Sequence, residues 1–140
     1  MILYLDTSAL VKRYVEEVQT DIVIEKWREA DEVVTSSVAY AEAMAAFQRK
    51  SRETPVVGDL IEQIAHDLRE DWNSFIRIPV NDQLNPYIDQ AIASHPLRRF
   101  DAIHLASAMI MHQKFQSDLL FLCFDQQLNR AATKESINTV

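Results

Sequence analysis

Glycine occurs once in the 140-residue chain, at Gly58, and proline only at Pro55, Pro79, Pro86 and Pro96. An all-β protein with many turns needs more breakers than that. The single cysteine, Cys123, excludes an internal disulfide, and its apolar surroundings read as a buried thiol. No apolar run approaches the ~18 residues that cross a bilayer. The opening M-I-L-Y-L-D has no basic n-region and soon meets an acid, so no signal peptide is expected and the expected location is the cytoplasm, with no membrane partner. Positive charge is also scarce: 14 Lys and Arg against 21 Asp and Glu give a net charge of -7. Passive nucleic-acid binders are usually basic. An enzyme that meets phosphate through a divalent cation escapes that rule, because gathered acids attract cations and the cations attract phosphate.

What is present fits one domain over residues 1–140, since 48% hydrophobic residues recur without a polar tract, repeat or linker. Short apolar runs suited to buried strands occupy Ile2–Leu5, Val33–Thr35, Phe75–Val80 and Leu119–Phe124. Between them lie helical patterns. The clearest runs from Pro55 to Ser74, with Val57, Leu60, Ile61, Ile64, Leu68 and Trp72 on one stripe. Thr35–Lys50 and Asp101–Phe115 are more apolar all round, as expected of buried helices. Ile22, Val23 and Trp27 mark one further amphipathic helix, and Leu84, Ile88, Ala91 and Ile92 another. The alternation predicts an α/β fold, a parallel sheet of four to five strands flanked by helices, with Ile137–Val140 as an edge strand.

Single charges interrupt this apolar sequence at four places. Asp6 is the only charge from Met1 to Val11, and Glu42 the only one from Val33 to Gln48. Asp101 is followed by no formal charge before Lys114, and Asp125 is alone from Leu119 to Asn129. Isolated buried carboxylates are costly and persist when paired or bound to metal. Asp6 and Asp125 follow strands, where open parallel sheets build their sites. Asp101 opens a helix, and Glu42 is expected about two turns into another. Oxygen ligands without a suitably spaced Cys or His pair suit Mg²⁺, or Mn²⁺, better than zinc. Each acid also has a plainer reading: Asp6, Asp101 and Asp125 as helix N-caps, Glu42 as a snorkelling surface charge.

Four blocks carry a family resemblance: L-D-T-S-A-L-V-K-R-Y (Leu5–Tyr14), S-S-V-A-Y-A-E-A-M-A-A-F (Ser36–Phe47), L-R-R-F-D-A-I-H-L-A-S-A (Leu97–Ala108) and F-L-C-F-D-Q-Q-L-N-R-A-A (Phe121–Ala132). In order and spacing the chain resembles the PIN-domain ribonucleases, specifically the VapC-type toxins of toxin–antitoxin pairs. The resemblance implies a PIN-like three-layer fold and a Mg²⁺-dependent endoribonuclease. It makes Asp6, Glu42, Asp101 and Asp125 the catalytic and metal-binding acids, with Ser8 or Thr7 as a supporting hydroxyl. It further implies an RNA substrate, a small antitoxin that covers the site, and a homodimer. Two departures stand out: Phe124 replaces the small polar residue common before the last acid, and the tail E-S-I-N-T-V lacks the usual glycine.

Among the remaining polar residues, Lys12, Arg13, Arg98 and Arg99 are candidate RNA contacts, or else ordinary solvated charges. His104 is expected to make an internal hydrogen bond, and His112 to lie too far along the helix to reach the site. Trp27, Trp72 and Tyr14 read as core or interface aromatics. The rival from another class is a phosphoacceptor receiver module, which needs an acid after its third strand and a lysine after a later one. Asp82 is a poor acceptor here, and no lysine follows Leu119–Phe124. A D-x-D phosphatase lacks its second acid in Asp6-Thr7-Ser8, and an inactive PIN platform sits badly with four intact acids.

Overall fold

The computed structural model describes residues 1–140. In chain order the elements are β1 (Ile2–Leu5), α1 (Thr7–Tyr14), α2 (Thr20–Glu29), β2 (Glu32–Ser36), α3 (Ala39–Glu53), α4 (Pro55–Trp72) and β3 (Ile76–Ile78). Then come α5 (Asn85–Ser94), α6 (Arg99–Phe115), a 3-10 turn, β4 (Leu119–Leu122), α7 (Gln126–Lys134) and β5 (Asn138–Thr139). The five strands form one sheet in the order β3-β2-β1-β4-β5. Every pairing is parallel, with Leu3 opposite Val33 on one side and Leu120 on the other.

Strand alternation divides the interior into two cores. Leu3, Leu5 and Leu122 pack with Leu10, Phe47 and Leu68 against α1–α4. Tyr4, Val34 and Phe121 turn to the other face and meet Leu105, Ala106 and Leu128 of α6 and α7. The sheet is therefore covered on both faces, as expected of an all-parallel sheet.

Several boundaries differ from the sequence reading, each for a local reason. The helix expected from Thr35 starts at Ala39. Thr35 stays in β2, where its hydroxyl donates to the Leu5 carbonyl at 2.7 Å, and the Ser36 hydroxyl accepts from the Val38 amide at 3.2 Å to make the turn. Glu42 consequently sits in the first turn of α3, not two turns in. The strands expected at Phe75–Val80 and Leu119–Phe124 are shorter. With one glycine in the chain, left-handed backbone falls to Gln19, Gln116 and Ser136. Ser136, at φ 63°, turns the chain from α7 into the edge strand β5.

Strand order sets the position of the site. From β1 the chain builds outward through β2 and β3, then returns to place β4 on the other side of β1. The reversal between β1 and β4 opens a crevice at their carboxyl ends. Asp6 follows β1 directly, and Asp125 lies just beyond β4.

Candidate active site

Asp6 is the N-cap of α1, and its Oδ1 accepts the Ala9 amide at 3.0 Å and the Ser8 hydroxyl at 2.7 Å. Ser8 in turn accepts the Phe124 amide at 3.1 Å, so one hydroxyl ties the carboxylate to the end of β4. Asp6 is 4% exposed, and burial pushes its acid up from 3.8 to about 6. The charge of Asp101 adds to that rise, while His104, Ser8 and the Ala9 amide oppose it.

Glu42 is held differently. Its Oε1 accepts the Thr7 hydroxyl at 2.7 Å and lies 3.0 Å from His104 Nε2. Nδ1 of the same ring meets the Tyr4 hydroxyl at 2.9 Å. With the Tyr4 hydroxyl donating to Nδ1, Nε2 is left to donate to Glu42, and the Thr7 hydroxyl stands 3.1 Å from the same nitrogen. Tyr4 and His104 are buried. Burial pushes the Glu42 acid up, but the His104 and Thr7 hydrogen bonds outweigh it and leave Glu42 below the usual carboxylate range.

Asp101 lies in the first turn of α6, whose N-cap is Arg98, so Asp101 is not the cap itself. Half-burial raises its acid, and the charges of Asp125 and Glu42 raise it further, against His104 and Arg98. Asp125 is exposed and caps α7, its Oδ1 accepting the Leu128 amide at 2.8 Å. The expectation of burial therefore holds for Asp6, in part for Glu42 and Asp101, and not for Asp125.

One pocket of about 710 Å³ is lined by all four acids, with Thr7, Ser8, His104, Arg98 and Arg99. As the side chains stand, no three Asp, Glu, His or Cys groups are set to chelate one ion. The donor chemistry nonetheless fits a hard divalent cation. The ligands available are oxygens, two of the acids are raised partly by the charge of neighbouring carboxylates, and Mg²⁺ is usually held by one or two carboxylates with water and phosphate completing its shell.

Arg13 does not line the pocket. On α1, Ser8, Val11 and Lys12 face the neighbouring cleft. Arg13, a further 100° around the helix, lies instead over Trp27 and Tyr14, at 5.2 and 5.7 Å from the ring centroids. Arg49, which the sequence reading passed over, lines both the pocket and the cleft. Its signal was available: Glu42, Ala45, Ala46 and Arg49 follow the spacing of one helix face. Trp27 and Trp72 pack edge-on against Phe75, Tyr14 donates to Asp71 at 2.7 Å, and Cys123 is a buried thiol whose acid burial pushes up. Asp82, the receiver rival's acceptor, is exposed and outside the pocket.

A family model for the PIN domain matches residues 3–134. The chain belongs to the PIN-domain family. Ribonuclease VapC49 of Mycobacterium tuberculosis is 29% identical to this PIN domain over 135 residues, covering 94% of this chain and 89% of that protein. Among solved structures, Mycobacterium tuberculosis VapC20, described as a sarcin-ricin loop cleaving toxin, superposes with a TM-score of 0.67 at 16% identity, covering 92% of this chain and 94% of that one. A toxin–antitoxin complex from Klebsiella pneumoniae gives 0.65 at 15% identity, over 89% and 88% of the two chains. At those identities the structures establish the PIN fold alone. No helix of this PIN domain is long and apolar enough to cross a membrane.

Proposed function

We propose that this PIN domain is a Mg²⁺-dependent endoribonuclease and the toxin of a toxin–antitoxin pair, with Asp6, Glu42, Asp101 and Asp125 as its metal-site acids. The observation that carries the reading is the convergence of these four on one pocket at the β1/β4 crevice, with Asp6 and Asp101 raised partly by carboxylate repulsion. PIN-domain ribonucleases generally use a divalent metal, and the ribonuclease and toxin names of the relatives point the same way.

In this mechanism Asp6 and Glu42 present carboxylate oxygens from fixed positions, one clamped by Ser8 and the Ala9 amide, the other by Thr7 and His104. Each leaves its second oxygen without a protein hydrogen bond, available to the pocket. Asp101 and Asp125 complete the acidic wall. When bound, the cation neutralises charge on the phosphodiester and makes water an effective nucleophile near neutral pH. Arg49, Arg98 and Arg99 at the rim attract and position the phosphate backbone despite the acidic total charge.

The same acidic pocket suits an inhibitor. An antitoxin Arg placed beside Asp6 and Asp101 would pair bidentately with carboxylate and take the place of the cation. The decisive experiment incubates purified protein with end-labelled RNA in Mg²⁺ or in EDTA, beside Asp6→Asn. Cleavage that needs both Mg²⁺ and Asp6 supports the reading; equal cleavage in EDTA, or a fully active Asp6→Asn, overturns the metal-site assignment. Expression of the wild type alone should slow growth, and the cognate small partner should restore it.

A further inference from the structure

Next to the acidic pocket lies an open cleft of about 760 Å³ that shares Thr7, Ser8, Glu42, Arg49, Phe100 and Asp125 with it. A ligand in the cleft therefore touches the carboxylate site directly. Two aromatic rings line it: Phe100, 46% exposed on the first turn of α6, and the half-buried Phe124 at the end of β4.

Away from the shared residues the cleft's charged lining is Lys12, Lys50 and Glu17. Lys12 and Lys50 share one carboxylate, Glu17, at 3.6 and 2.5 Å, and Lys12 also stands 5.1 Å from the Phe124 ring centroid. Arg49 has no ion-pair or hydrogen-bond partner and is exposed. With Glu42 and Asp125 counted beside Glu17, the lining carries three cations and three carboxylates, and Arg49 is the cation left without a partner. Aromatic rings beside a positive groove are how proteins hold single-stranded nucleic acid: rings stack on bases, and cations follow the backbone. Any RNA with a phosphate at the carboxylates must also place a neighbouring nucleotide beside them, and the cleft is of the size that small ligands occupy.

We propose that this cleft is a nucleotide subsite, in which Phe100 and Phe124 stack on the base next to the scissile phosphate and Arg49 meets the following phosphate. The proposal rests on the ribonuclease reading and names how that site selects single-stranded RNA. A stacking subsite accepts every base face, with preference set by stacking strength more than by hydrogen bonds. Two aromatic rings and the unpartnered Arg49 beside the carboxylate pocket favour RNA as its occupant.

The test compares a short single-stranded oligoribonucleotide with a version carrying an abasic ribose beside the bond that is cut. Affinity is read by anisotropy with Ca²⁺ replacing Mg²⁺, and KM in Mg²⁺. Phe124→Leu, which keeps apolar volume, and Phe100→Ala, at an exposed position that folding tolerates, should each weaken binding of the intact RNA about 5- to 100-fold. On the abasic RNA both variants should match the wild type, and Phe124→Tyr should behave as wild type on either. Arg49→Gln should flatten the salt dependence of binding by somewhat less than one ion.

Equal losses on intact and abasic RNA, or no loss on either, overturn the subsite while the ribonuclease reading stands. So does a variant that keeps its RNA kinetics but loses affinity for the inhibitory partner, which marks the cleft as a peptide groove. A wild type that neither binds nor cuts RNA removes both readings.

Discussion

Asp6→Asn separates a metal-site acid from a simple helix cap. The folded state raises this acid from 3.8 to about 6, so between those values the native protein binds a proton that the unfolded chain has released. Stability therefore falls as pH rises through that window, and above about pH 6 a penalty of ~3 kcal/mol stands in full. Asparagine keeps an acceptor for the Ala9 amide and the Ser8 hydroxyl and carries no charge. Its cap is about as good as that of aspartate. If Asp6 were only a cap, the substitution would be nearly neutral. On the charged-site reading, metal-free Asp6→Asn gains about 1–3 kcal/mol at pH 7, the range allowing for weaker hydrogen bonds to a neutral acceptor. Urea unfolding in EDTA at several pH values measures this directly. The gap between variant and wild type should close toward pH 4. A variant no more stable than wild type at pH 7, with a gap indifferent to pH, refutes the reasoning.

Two further outcomes are expected. Mg²⁺ should raise the unfolding free energy of the wild type by about 2.7 kcal/mol at a hundred times its Kd, with Glu42→Gln and Asp101→Asn blunting the gain in thermal melts; identical Mg²⁺ responses in all three would remove those acids from the site. His104→Leu, at a position 1% exposed, removes the donor that orients Glu42, and should lower activity or metal affinity 10- to 100-fold in a protein that remains folded by circular dichroism. If only stability falls, His104 is a core residue and no more, and Tyr4→Phe should then change stability by about 1 kcal/mol without touching Mg²⁺ binding.

The fold was legible where pattern and burial agree. Ile2–Leu5 and Leu119–Leu122 are apolar throughout because both faces of a parallel strand are covered, and Pro55–Trp72 shows a stripe because only one side of α4 is buried. Boundaries were lost where side chains make bonds that no periodicity records. Thr35 reads as the start of a helix until its hydroxyl is seen on the Leu5 carbonyl. Ser136 adopts a left-handed backbone that sequence alone would assign to glycine or asparagine, so the edge strand was the least secure element.

The acids announced themselves by isolation, a one-dimensional signal that survives without coordinates. What isolation cannot encode is who holds whom. Thr7 and Ser8 are neighbours on one turn, yet one serves Glu42 and the other Asp6, because successive residues on a helix point about 100° apart. His104 is three residues from Asp101 in sequence, and its hydrogen bonds go to Glu42, Thr7 and Tyr4, drawn from three other elements. Tyr4 turns to the α6 face only because the β-strand alternates, while Leu3 and Leu5 turn to α1–α4. The pocket is thus assembled by the strand order: without the return of β4 beside β1, the Phe124 amide would not reach Ser8, and the hydroxyl that helps hold the Asp6 carboxylate would lose its tie to the neighbouring strand.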